Sequence, residues 1–87
     1  MIEGKTNTGF LFSIEEEALD DMEILENLAA LSEGHIEVVP KTIVMILGEE
    51  QKEKLYEHCR GENGRVSSKR IIDELKSVFE ASKEVKN

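Results

Sequence analysis

The stretch ALDDMEILENLAALSEG, residues 18–34, decides the fold. Leu19, Met22, Leu25, Leu28 and Leu31 recur at every third position, with Ile24 and Ala29 beside them. That spacing predicts an amphipathic helix whose apolar stripe is the floor of a small core. Ser13 followed by Glu16 fits a capping box, and Glu15, Glu16 and Glu17 sit where a helix N-terminus favours negative charge. A first helical segment is therefore expected over 15–33. Asp20 and Asp21 allow a break and a new start within it, and Gly34 supplies the stop.

Upstream, Phe10, Phe12 and Ile14 alternate with Leu11 and Ser13, the period of a half-buried strand. Thr6-Asn7-Thr8-Gly9 has turn chemistry, and Ile2 to Lys5 supplies a partner strand, so 1–14 is expected as a β-hairpin. Two strands alone are marginal in water, so the phenylalanine face must lie on helices. Leu11 breaks the inside/outside alternation, so its face is either half-covered or meets a partner.

Downstream, HIEVV at 35–39 is strand-like in composition but leads into Pro40. Residues 41–47, KTIVMIL, are nearly all apolar, and periodicity alone does not separate a buried helix from a buried strand. Pro40 at the start and Gly48 at the end favour a short buried helix over 40–47. Strong helix formers then predict a helix over 49–60, with Leu55 and Cys59 on one face and a favourable Glu50–Lys54 pair. Gly61, Asn63 and Gly64 open a loop, Ser67 or Ser68 caps the last helix over 68–83, and 84–87 is expected to fray. Its stripe is Ile71, Ile72, Leu75, Val78 and Phe79. The fold expected is mainly α (α+β), a short N-terminal hairpin packed on a compact bundle of three to four helices, in one domain over 1–87.

The net charge of −8 is unevenly placed. Residues 1–33 carry nine acids and one lysine, whereas residues 34–87 carry ten acids and ten bases. Such a field disfavours nucleic acid and anionic membrane and favours a basic partner surface. Arg65, Lys69 and Arg70 form the one basic cluster, without aromatic stacking platforms beside it. No stretch approaches the roughly 20 apolar residues that span a bilayer. The first residues lack the basic-then-apolar order of a secretory signal, and a cytoplasmic setting is expected.

Catalytic chemistry finds little support. His35, His58 and Cys59 are too few for a zinc centre, and no cofactor is implied. Acid pairs at helix spacing, such as Glu16 and Asp20, lie in water and repel. The loop GENGRVSS at 61–68 lacks the final acid of a calcium loop and the Lys-Ser of a phosphate loop, and serves to join two helices. The residues by themselves point to a small acidic, non-enzymatic, protein-binding domain, with self-association among its outcomes. The alternative is a small acidic regulator or inhibitor that masks a basic protein surface.

TGFLFSI (8–14), EEEALDDMEILENLA (15–29), PKTIVMILGEEQKEKLYEHCR (40–60) and ENGRVSSKRIIDEL (62–75) together resemble a family. The chain looks like the small tail assembly chaperones of prophages and long-tailed phages of Gram-positive bacteria, over roughly residues 8–80. The resemblance implies binding to the tape measure protein, recruitment of the major tail protein, and release as the tube polymerises in the bacterial host cell. It also implies a longer frameshifted form, with Lys86-Asn87 where such a slip would fall. On this reading Leu11, Met22, Ile24, Leu31 and Met45 are expected as contact residues, with Asp20, Asp21 and Glu23 as a steering acidic rim.

Overall fold

A computed structural model describes residues 1–86, with side chains described up to residue 83. Strands β1 (Ile2–Lys5) and β2 (Leu11–Ile14) pair antiparallel, with Ile2 opposite Ile14 and Gly4 opposite Phe12. A 3-10 turn (Glu16–Asp20) leads into helix α1 (Met22–Ser32). A second 3-10 turn (Ile36–Val38) leads into α2 (Val39–His58), and a loop connects it to α3 (Ser68–Lys86). The fold is thus mainly helical, with the N-terminal hairpin packed on three helices.

The alternation read in the hairpin places Ile2, Phe10, Phe12 and Ile14 in the core and leaves Leu11 exposed. The turn is closed by backbone bonds from Thr6 N–H to Phe10 O (2.9 Å) and from Gly9 N–H to Thr6 O (3.0 Å). Gly4 is required by its cross-strand neighbour. A Cβ there would stand 2.8 Å from the tip of the Phe12 ring, which lies over the glycine.

Within the first helical segment, 15–33, the break allowed at Asp20 and Asp21 is the one taken. Ser13 belongs to β2 and forms no capping box, and Glu15 starts the 3-10 turn without a side-chain cap. Asp21 breaks the segment instead. Its extended backbone and its carboxylate, which accepts from the N–H groups of Glu23 (2.8 Å) and Ile24 (3.2 Å), make it the N-cap of α1. The helix closes with His35 N–H bonded to Ala30 O and Gly34 N–H to Leu31 O, each at 3.0 Å.

Residues 36–38 of the strand-like HIEVV form the 3-10 turn, and Val39 with Pro40 in the first turn begins α2. Residues 39–47 bury Val39, Thr42, Ile43, Ile46 and Leu47. At Gly48 the chain kinks through φ 83°, ψ 165°, a conformation confined almost entirely to glycine. The second half of α2 ends at His58, two residues before the end expected. In contrast to the frayed tail expected at 84–87, α3 continues to Lys86. Asn87 lies outside the described residues.

Gln51 repairs two breaks at once. Its Nε2 donates to Leu47 O (2.8 Å) beside the kink and to Ser13 O (2.7 Å), while its Oε1 accepts from Ser13 N–H (2.8 Å). Both backbone groups of Ser13 point away from β1 and are satisfied by one amide. One core unites the hairpin with Ile24 and Leu31 of α1, Ile43 and Leu55 of α2, and Ile71, Leu75 and Val78 of α3.

Two substitutions test this account by urea unfolding. Gly48→Ala forces an alanine into the kink and is expected to cost about 1–3 kcal/mol. Gly4→Ala drives the Phe12 ring off its site and is expected to cost about 1–3 kcal/mol by overpacking.

Candidate functional site

Five apolar side chains of α1 and the preceding turn lie in a row of threes, and an α-helix does not keep such a row on one face. At 3.6 residues per turn, each step of three drifts by about 60°. Ile24 (1% exposed) and Leu31 therefore face the core, with Leu28 half-buried. Met22 (65% exposed) and Leu25 (56%) turn outward.

These two residues form one wall of a cleft of about 350 Å³ between the start of α1 and the end of α3. Ala18 and Leu19 of the 3-10 turn and Phe79 of α3 make the rest of its apolar surface. Asp20, Asp21 and Lys83 stand at the edge, and Lys83 Nζ lies 5.5 Å from the centre of the Phe79 ring. Residues 15–26 contribute seven acids and no base to this end of the molecule. The arrangement is an open apolar trough with a predominantly negative surround, suited to an apolar side chain on a basic segment.

The expected contact residues separate into distinct environments. Asp20, Asp21 and Met22 meet at the cleft, and Glu23 is exposed next to them. Ile24 and Leu31 are corrected to core residues, because the helix turns them inward. Met45 is half-buried against the core, with its sulfur 3.3 Å from Asn27 Nδ2. Leu11 (72% exposed) lies on the outer face of the hairpin, beside Glu3, Ser13 and Gln51, in a separate depression. Leu25, Leu19, Ala18, Phe79 and Lys83 were missing from the expected site. The drift of the row of threes was the readable signal for Leu25. The approach of α3 had none.

A second cluster surrounds Glu74, whose side chain is buried on α3. Its two carboxylate oxygens accept from the hydroxyls of Thr6 (2.8 Å) and Thr8 (2.7 Å). Thr8 Oγ1 also lies 2.8 Å from His58 Nε2. Since the single hydroxyl proton of Thr8 goes to Glu74, His58 is the donor in that contact. The imidazole is thus not placed to take a proton from Thr8, as a base activating a nucleophile must. Asn7 N–H donates to Ser77 Oγ (3.0 Å), so the whole turn is fastened to α3. Cys59 beside this cluster is 2% exposed. Burial pushes its thiol above the ordinary value, the Glu74 charge adds to the rise, and Arg70 opposes it.

Among the described residues, no group of three or more His, Cys, Asp or Glu side chains is placed to hold a metal ion. No helix of the described residues is long and apolar enough to cross a membrane. Comparison with protein-family models, curated proteins and solved structures gives no match for this chain.

The two acids at the cleft separate experimentally. Asp21→Ala removes the cap of α1 and is expected to lower stability by about 1 kcal/mol, whereas Asp20→Ala leaves the melting temperature nearly unchanged. Glu74→Ala strands the Thr6 hydroxyl and is expected to cost about 2–3 kcal/mol in urea unfolding. The raised Cys59 thiol holds less thiolate at any given pH. It should react with Ellman's reagent much more slowly in the native protein than in denaturant.

Proposed function

We propose that this chain is a non-enzymatic protein-binding factor, and specifically a tail assembly chaperone of a long-tailed phage or prophage. In the host cytoplasm it keeps the tape measure protein soluble and helps bring the major tail protein to the growing tube. The observation that carries this reading is the acid-fringed cleft exposing Met22 and Leu25 over Phe79. An open trough of this kind suits a client that must be released, because it contacts an apolar side chain without enclosing it, so few contacts have to break on departure. The acids of residues 15–26 steer basic stretches of the client towards it. The sequence resemblance supplies the identity of the client.

The same acids support a second reading, an acidic regulator that covers a basic protein surface. The two differ in what dominates the binding energy. A charge-masking regulator loses its partner steeply as salt rises, whereas a chaperone using the trough is hurt most by substitution of its apolar walls.

Co-expression with a phage tape measure protein tests the proposal. The wild-type chain is expected to move that protein from the pellet to the soluble fraction. Combined Met22→Glu and Leu25→Glu substitutions should abolish this while leaving the melting temperature close to wild type, since both residues are exposed. A tape measure protein equally insoluble with and without the wild-type chain overturns it.

A further inference from the structure

A second cleft, of about 210 Å³, lies between the start of α2 and the start of α3. Val39 and Ile71 line it from the core, and Tyr56, Val66 and Ile72 are half-buried around it. Ile36, in the 3-10 turn before α2, stands at its lip with 57% of its surface exposed. The lining is almost wholly apolar, and every one of these residues comes from the part of the chain whose charge balances to zero. Of the flanking charges, Lys52 pairs with Glu49 at 3.9 Å and Lys69 with Asp73 at 3.5 Å, and Glu37, hydrogen-bonded to His35 at 3.2 Å, is offset by Lys41 and Arg65.

We propose that this cleft is a self-association surface on which a second copy of the chain docks, the Ile36 of each copy entering the cleft of the other. Two features select this occupant. An apolar projection beside an apolar hollow on one face is the self-complementary arrangement that a two-fold interface needs. Charge decides the rest. A basic partner of any kind is drawn to the acidic end of the molecule, while two copies repel at their acidic ends and meet with little repulsion at this nearly neutral face. Ile72 at this cleft and Phe79 at the acidic one are seven residues apart on α3, about 10 Å along the helix. Salt screens the charge of the acidic ends, so their mutual repulsion opposes docking most when salt is low. The surface is distinct from the client cleft, and the inference does not rest on the proposed function.

Sedimentation velocity on the full chain tests it. With a contact this small, a reversible dimer is expected to populate as concentration rises towards about 1 mM. Its affinity should be unchanged or increased when salt is raised from roughly 50 to 500 mM. Ile36→Asp is expected to weaken it by about thirtyfold, the effect of losing a central apolar anchor. Ser68→Glu provides a second variant at the cleft mouth, at an exposed first-turn position of α3 where an acid suits the helix. Combined Met22→Glu and Leu25→Glu substitutions should leave the dimer intact. Circular dichroism checks that each variant is folded. A strict monomer over the whole range, a dimer that persists in both Ile36→Asp and Ser68→Glu, or one that dissociates as salt is added overturns the proposal.

Discussion

A buried carboxylate holds the two halves of this molecule together. Glu74 sits on α3 with 4% of its surface exposed, against the turn of the hairpin. A carboxylate removed from water carries a large desolvation penalty, which direct hydrogen bonds must offset. Here two threonine hydroxyls supply short charge-assisted bonds, and Ser77 holds the intervening Asn7 backbone. These bonds require one position of the turn on the helix. Phe10, Phe12 and Ile14 then enter the core in a single register, because a slip of one residue would turn them all to solvent. A hairpin too short to persist alone is fixed in place by a helix some seventy positions away in sequence.

The same distribution of ties leaves the other side of α1 open. The helix commits Ile24 and Leu31 to the core, and Asp21 determines where it begins. Nothing in the described residues covers Met22 and Leu25. Phe79 and Leu19 are only partly buried behind them. Residues that complete the core and residues that make the cleft thus alternate along one helix, so each surface is held rigid by the other.

The hairpin and the helices were legible because their signals are local. Alternation at Phe10, Phe12 and Ile14, a Thr-Asn-Thr-Gly turn, Pro40 before an apolar run and Gly48 after it each constrain a few neighbouring dihedrals. The capping box at Ser13 does not form because Gln51, 38 residues later, takes the Ser13 N–H that Glu16 would have to reach, and the helical turn starts after Glu15 instead. The burial of Glu74 was equally beyond local reading, since an acid in an exposed-looking helical pattern becomes buried only when the hairpin arrives. Of the candidate site, the acidic surround and Met22 were readable, and the α3 side of the cleft required the tertiary fold. Ile24 and Leu31 fall among the expected contact residues because spacing along the helix does not say which of its apolar positions the core takes up.

The side-chain amide of Gln51 has a consequence for how the chain behaves in a crowd. A two-stranded ribbon has two unpaired margins, and such margins invite extended peptides to add on and grow into fibres. α3 packs along β1, and on β2 the Ser13 donor and acceptor are already engaged by Gln51, which imitates one residue of a third strand without offering a new margin of its own. Template-directed polymerisation is interrupted at that point by one glutamine. A chain that lies at high concentration beside other copies of itself is in this way kept from adding on edge to edge.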